Sequence, residues 1–330
     1  MKDILEHLYQ HKTLTKDQAK EILTAIATGK YNHNQIASFV TTFIMRNITL
    51  EELNGFREAL LLLSNNIDLS FCNPMDVCGT GGDGKNTFNI STLTSFVVAG
   101  AGVPVAKHGN YGVSSISGSS NVLECLGISF QTNEDILKTQ IQEANICFLH
   151  APLFHPALKH VAPVRRELGV KTFFNMLGPL VNPAQPKVQM AGVFNLELAR
   201  MYQYLFQQEE IQYSIVHSID GYDEITLTAN SKIFNNKGES ILKAEHMGFS
   251  QCPADALYGG NTIDEAAQIF TNVIEGRGTV YQNNVVLANA ATAIKTYYPT
   301  KEYEETIAIA KDSLFGLKAK KAFTTLKTIQ

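Results

Sequence analysis

The chain has 330 residues, 45% of them hydrophobic, with five cysteines and a formal net charge of −4. That length and apolar content support a sizeable core in one large or two unequal globular domains, while the slightly acidic balance gives no long-range attraction to nucleic acid, which needs clustered Lys and Arg to displace counterions. The opening Met1-Lys2-Asp3-Ile4-Leu5-Glu6-His7 lacks the basic-then-apolar order of a secretory signal, and the longest apolar stretch, Phe96 to Ala106, is too short for a bilayer and is broken by Gly100, Gly102 and Pro104; the expectation is a cytoplasmic protein with small-molecule partners, no nucleic acid and no membrane segment.

The first stretch reads as helices only. Thr15-Lys16-Asp17-Gln18 and Thr49-Leu50-Glu51-Glu52 are capping-box patterns, which start helices near 16–27 and 50–64. Between them Ile36, Phe39, Val40, Phe43 and Ile44 recur at three- and four-residue spacing and form the apolar stripe of a third helix. Residues 1 to about 66 therefore read as a small helical domain. After Asn73-Pro74 the pattern changes. Short apolar runs at 75–78, 103–107, 146–150, 188–194 and 211–219 predict strands, with helices at 90–101, 119–126, 133–144 and 195–208 between them, the order of an α/β sheet with crossover helices. Ile225 to Phe234 followed by Asn235-Asn236-Lys237-Gly238 reads as an antiparallel hairpin, so the sheet is expected to be mixed. The cysteines Cys72, Cys78, Cys125, Cys147 and Cys252 are scattered, with no CxxC pair, and read as reduced, mostly packed thiols.

Asp76-Val77-Cys78-Gly79-Thr80-Gly81-Gly82-Asp83-Gly84-Lys85-Asn86 satisfies GxGxxG and nearly satisfies the Walker pattern. Neither match holds up. Asn86 stands where a Walker loop needs a Ser or Thr hydroxyl for magnesium. The region about 20 positions beyond the turn, Gly102-Val103-Pro104-Val105-Ala106, has no acid to hold a dinucleotide ribose. What remains is a run of residues without Cβ whose amides can converge on phosphate oxygens. Asn89-Ile90-Ser91-Thr92 follows at once, and Leu93, Phe96, Val97 and Ala101 have helical spacing. A helix N-terminus thus addresses the same region, and two anion-binding devices in tandem favour phosphate over a purely structural turn.

The next loop, Lys107-His108-Gly109-Asn110-Tyr111-Gly112-Val113-Ser114-Ser115, ends a strand and leads into Gly118-Ser119-Ser120-Asn121. With these blocks the chain resembles the anthranilate phosphoribosyltransferases, whose hallmark segments look like GTGGD, NIST, KHGN and a GS-led helix. The stretch from Ala151-Pro152-Leu153-Phe154-His155-Pro156 through Val164-Arg165-Arg166-Glu167 to Asn175-Met176-Leu177-Gly178-Pro179, and the pair Asp223-Glu224, extend the likeness in the same order and with similar spacing. Pyrimidine nucleoside phosphorylases, the rival enzyme reading, share the fold and a glycine-rich phosphate site but not the Arg165 and Asn175-Gly178-Pro179 block in this form. A nucleic-acid-binding relative that lost the chemistry is the rival from another class, and it would show a basic surface and eroded motifs.

The resemblance implies a small N-terminal helical domain, residues 1–66 joined by helices from about 156–185, and a larger α/β domain, 72–330, with a central mostly parallel mixed sheet flanked by helices; the active site would occupy the cleft between them. It implies transfer of phosphoribose from phosphoribosyl pyrophosphate (PRPP) to the amine of anthranilate, with magnesium, two ions per subunit, and a homodimer. PRPP would lie along Gly79, Gly82, Asp83, Thr87, Asn89, Ile90, Ser91, Thr92, Lys107, His108, Gly109, Asn110, Tyr111, Gly112, Val113, Ser114, Ser115 and Ser119. Anthranilate would meet Gly79, Asn110 and Arg165, and magnesium would be held through Ser91, Asp223 and Glu224.

Each residue also has a plainer reading. Lys107 fits a solvated amine at a strand end, although beside a glycine nest a point charge suits phosphate. Arg166 reads as helix surface, whereas Arg165 can offer a planar fork to a carboxylate. Asp223 and Glu224 fit a turn after Gly221, but adjacent hard oxygens in a pyrophosphate-binding protein favour magnesium. His150, His155 and His160 recur every five residues, off any shared helical face, and His155 reads as a structural helix-start residue. Tyr111 sits where many family members carry Arg, and Asn121 where Asp is common.

Overall fold

The computed structural model describes residues 1–112 and 116–329. Its contacts divide into two compact units, Met1–Ile67 with Ala151–Pro183, and Asp68–His150 with Ala184–Gln330. Among the described residues no helix is long and apolar enough to cross a membrane.

The first unit is built on helices Lys2–Tyr9, Lys16–Ala27, His33–Met45 and Leu50–Leu62. Thr15 with Gln18 and Thr49 with Glu52 form the reciprocal capping bonds that the sequence predicts. A third box, Asn32 with Gln35, starts the middle helix; helix Lys2–Tyr9 has no side-chain cap to announce it. Glu52 does more than cap, since its carboxylate also accepts from the Leu14 N–H at 2.8 Å and pairs with Arg46 at 2.5 Å. Burial pushes this carboxyl up, but the Arg46 guanidinium and the Leu14 and Thr49 amides outweigh it and hold it below its usual value. At Gly55 a Cβ would lie 2.3 Å from the Lys16 carbonyl, so helices Lys16–Ala27 and Leu50–Leu62 cross at a contact only glycine permits. The stripe residues Phe39 and Phe43 then meet Phe56 and Phe173, the last two stacked at 4.4 Å. Burying each such ring contributes about 1.5 to 3 kcal/mol.

The second unit is organised by seven strands: β1 Met75–Gly79, β2 Val105–Gly109, β3 Ile146–His150, β4 Val188–Gly192, β5 Gln212–Ser218, β6 Ser231–Asn235 and β7 Gly238–Leu242. Their order is β3-β2-β1-β4-β5-β6-β7, with β1 to β5 parallel and β6 and β7 antiparallel. The hairpin is therefore shorter than the sequence suggests. Residues 225–230 form no strand because Leu227 sits at φ +60 and the Thr226 and Thr228 hydroxyls are bonded to each other, with Thr226 also joined to Ser218 and Thr228 to Asp220. Pairing begins at Ser231 and turns over Asn236-Lys237.

Helices Ile90–Gly100 and Val280–Tyr297 supply much of the packing against the sheet, and Leu93, Phe96, Val97, Val286 and Leu287 are buried with Met75, Val77 and Met190 in one core. Strand order reverses at β1, whose neighbours β2 and β4 lie on opposite sides. In an open parallel sheet the carboxyl ends at such a reversal are where ligands bind. Here those ends are Gly79 and Gly192, in register with each other.

Candidate functional site

Strand β1 runs out at Gly79, and the chain turns through Gly81, Gly82 and Gly84 at φ +62, +73 and +76. L-residues with side chains rarely adopt that conformation. The turn is fastened from several sides. Thr80 N–H donates to the Gly192 carbonyl at 2.9 Å, Lys85 N–H to Asp83 Oδ1 at 2.9 Å, and Asn86 Nδ2 to the Gly260 carbonyl at 2.8 Å. Thr87 bridges to Tyr258. Asn86 is thus occupied in shaping the turn.

The helix that follows begins at Ile90 with Asn89 as its N-cap, and Asn89 makes no side-chain cap. Its amide instead reaches the Ser117 carbonyl at 3.0 Å. The first-turn amides are left to find acceptors elsewhere, and the Ser91 N–H gives its hydrogen to Glu224. Ser91 and Thr92 lie inside the helix rather than capping it, with Thr92 buried.

Asp223 is seated between two glycines. A Cβ on Gly79 would stand 2.5 Å from Asp223 Oδ2, and one on Gly192 would stand 1.7 Å from the Asp223 carbonyl oxygen. The Gly81 N–H donates to Oδ2 at 2.7 Å. Asp83 hydrogen-bonds the same carboxyl, so Asp83, Asp223 and Glu224 form one acidic cluster. Burial, then the neighbouring Asp83 charge, raises Asp223; burial also raises Asp83. Glu224 is pushed well up by burial and by Asp223, with Lys107 opposing. The cluster thus carries more potential negative charge than the protein around it balances.

Lys107 is no surface amine. It is buried, and its Nζ donates to the Val77 carbonyl at 2.7 Å beneath the strand end. His108 is buried too, and its N–H bonds Asp76 Oδ1 at 3.2 Å. Gly109 closes β2 where a Cβ would meet Ser119 Oγ at 2.4 Å. Beyond it Asn110 is exposed, and its carbonyl accepts from Ser119 Oγ and the Ser120 N–H. Tyr111 reaches Glu124 at 3.4 Å. Asn121 Oδ1 accepts from both Gly112 N–H, at 2.9 Å, and Gly118 N–H, at 3.0 Å, which pinches the loop closed at its base. Val113, Ser114 and Ser115 lie outside the described residues.

In the helical unit, Arg165 stands on the short helix Ala162–Leu168 with its guanidinium 5.3 Å from the Phe174 ring centroid. Burial lowers its pKa, and among the described residues it makes no ion pair. Such a fork is suited to an incoming carboxylate. Arg166 is exposed. His155 is buried at a helix start with Nε2 on the Val181 carbonyl at 2.8 Å, a structural role.

Magnesium fits the acidic cluster on chemical grounds. Among the described residues no three His, Cys, Asp or Glu side chains form a metal cage. Magnesium does not require one, because it keeps several waters and binds through one or two carboxylates plus phosphate oxygens. Gly192, Ser218 and Asn289, which touch the backbone of Asp223, Glu224 and Ile225, carry no recognisable signal in the sequence beyond a glycine at a strand end and polar residues within apolar runs.

Residues 72–319 match the model of the glycosyl transferase family, a/b domain, and residues 2–63 match its helical bundle domain. Anthranilate phosphoribosyltransferases of Flavobacterium psychrophilum and Flavobacterium johnsoniae are 58% and 56% identical, each over 100% of this chain and 99% of the relative. A solved anthranilate phosphoribosyltransferase of Thermus thermophilus superposes with TM-score 0.91 at 30% identity, covering 98% of both chains. That of Saccharomyces cerevisiae, solved in complex with PRPP and Mg, has the same fold, with TM-score 0.90 at 24% identity over 98% of this chain and 96% of the other. The chain belongs to the glycosyl transferase family and, within it, to the anthranilate phosphoribosyltransferases.

Proposed function

We propose that this chain transfers the 5-phosphoribosyl group of PRPP to the amine of anthranilate, giving N-(5-phosphoribosyl)anthranilate and pyrophosphate, the second step of tryptophan biosynthesis from chorismate. The observation that carries the reading is the full-length identity of more than half to relatives of that name. The site residues support it chemically: a left-handed glycine turn stands beside a helix N-terminus, the pair of features that suits a diphosphate, and the Gly81 N–H ties the turn to an acidic cluster.

PRPP lies along Gly79, Gly82, Asp83, Thr87, Asn89, Ile90, Ser91 and Thr92 and along the stretch that begins at Lys107, with Ser119 nearby. Ser91, Asp223 and Glu224 would hold magnesium, two ions per subunit, and the metal bound there would supply positive charge against the departing pyrophosphate. Anthranilate presents its carboxylate to Arg165 and its ring amine near Gly79 and Asn110.

The amine is a poor nucleophile, weakened by the ring and the ortho carboxylate. Catalysis therefore rests on leaving-group departure, with an oxocarbenium-like ribose attacked late on the opposite face and inverted at the anomeric carbon. Backbone donors of the turn are fixed before reaction and lose nothing in reorganising. Holding both substrates in line supplies part of the roughly 7 to 11 kcal/mol that orientation can reach. No covalent nucleophile and no obligatory base is assigned. The protein works in the cytoplasm as a homodimer, a pairing supported by exposed Ile44, Met45 and Leu62 on the helical unit.

The test is the loss of anthranilate fluorescence in the presence of PRPP, with magnesium omitted as control. Turnover of a pyrimidine nucleoside with phosphate instead would transfer the chain to the phosphorylases.

A further inference from the structure

Asp223 and Glu224 stand in the stretch between β5 and β6 that has no regular structure, so no ladder or helix fixes them. Their carboxyls meet the Gly81 and Ser91 amides, and buried side chains hold the backbone behind them. Asn289 lies in the middle of helix Val280–Tyr297, within the run Val285-Val286-Leu287-Ala288-Asn289-Ala290-Ala291, and is fully buried. An amide in that setting is a poorer helix former than alanine and is costly to bury unless bonded. It is bonded to the next residue after the acid pair. Asn289 Oδ1 accepts from the Ile225 N–H at 3.1 Å, and Nδ2 donates to the Ile225 carbonyl at 2.8 Å and to the Val285 carbonyl at 2.8 Å. The side chain therefore grips both polar groups of one peptide residue, as a neighbouring strand would.

Ser218, at the end of β5, holds the same stretch from the other side. Its buried Oγ donates to the Glu224 carbonyl at 2.8 Å and lies 3.0 Å from Thr226 Oγ1. Between these two grips the backbone of 224 and 225 has little freedom, and the carboxylates keep their place against Gly79, Gly81 and Ser91.

We infer that Asn289, with Ser218, positions the Asp223-Glu224 pair for metal binding by clamping the Ile225 and Glu224 peptide groups. This rests on the reading of that pair as the magnesium site. Groups behind a metal ligand typically change affinity about 10- to 100-fold when removed.

The probe is Mn²⁺ added to the folded protein, with free Mn²⁺ read by electron paramagnetic resonance. Asn289→Ala is expected to weaken Mn²⁺ binding about tenfold or more and to raise the half-saturating magnesium in turnover by a similar factor, with KM for anthranilate within about twofold of wild type. A lower Tm with unchanged Mn²⁺ binding and unchanged magnesium requirement would overturn the proposal, because the clamp would then serve the fold alone. If Asn289→Ala does not yield folded protein, Ser218→Ala, which removes one oxygen, takes its place with the same expected and overturning results. The control is Asp223→Asn with Glu224→Gln. Its failure to reduce Mn²⁺ binding would overturn the magnesium-site reading itself, and this inference with it, whereas reduced binding in the control beside an unaffected Asn289 variant strikes only the clamp.

Discussion

The Gly81 N–H donates to Asp223 Oδ2 at 2.7 Å, joining the glycine turn to an acid 142 positions further along the chain. One oxygen of that carboxyl is thereby committed to shaping the turn, and Asp83 hydrogen-bonds the same group. Asp223→Asn with Glu224→Gln keeps the side-chain volumes and removes the charge. Turnover with PRPP and magnesium is expected to fall about 100-fold or more, corresponding to roughly 3 kcal/mol of lost charge stabilisation, while circular dichroism stays that of wild type. Unchanged turnover would refute the metal assignment.

Gly79 and Gly192 leave no space for a side chain. A methyl at 79 would press on Asp223 Oδ2 from 2.5 Å, and one at 192 on its carbonyl oxygen from 1.7 Å. Gly79→Ala meets the end of a side chain and can be accommodated by moving the carboxyl. It is expected to keep the fold and to lose about 100-fold in kcat/KM, the scale of a roughly 1 Å misplacement. Gly192→Ala meets backbone and is expected to lower the Tm as well. Wild-type kinetics in Gly79→Ala would show that the position of Asp223 is unimportant.

Arg165 is a half-buried guanidinium resting on Phe174 without an acidic partner among the described residues. Charged hydrogen bonds contribute about 1.5 to 3 kcal/mol, so Arg165→Ala is expected to raise KM for anthranilate roughly 10- to 100-fold and to change that for PRPP little. Steady-state kinetics with each substrate varied decides it. Equal effects on both would count against a carboxylate contact.

Asp223 gives the protein a pH signature. Burial and the Asp83 charge raise its carboxyl from the ordinary 3.8 to about 7. The folded state therefore binds this proton more tightly than the unfolded one. The resulting stability is fully present below about pH 4 and is lost as the pH rises through about 7. In magnesium-free buffer the Tm of wild type relative to Asp223→Asn should fall between about pH 4 and 8. Magnesium with pyrophosphate should raise the wild-type Tm more at about pH 8 than at about pH 5, since it binds the ionised form. A constant difference across that range would contradict the assigned shift.

Local chemistry was the part of the fold legible in sequence. Thr15 and Thr49 announce their helices because a capping box is complete within four residues, and β3 runs from Ile146 to His150 as its apolar run predicts. The Asn32 box is harder to recognise because an amide stands where a hydroxyl more often signals the motif. The run 225–230 misled because its β-branched residues look like a strand while Thr226 and Thr228 are spent on a hydroxyl network and Leu227 turns left-handed. For the site, the glycine turn could be read as a phosphate cradle from its own residues. The grouping of Asp83 with Asp223 and Glu224, and the grip of Asn289 on Ile225, depend on strand order and on contacts across 64 or more positions, which no local pattern encodes.

In the proposed complex the sugar diphosphate is held by the turn after β1 and the acid pair after β5. A crystal structure with PRPP and magnesium tests it most directly. Pyrophosphate oxygens are expected against the turn between Gly79 and Gly84, with metal in contact with Asp223 or Glu224. A donor bound elsewhere, or metal held without either acid, would contradict it.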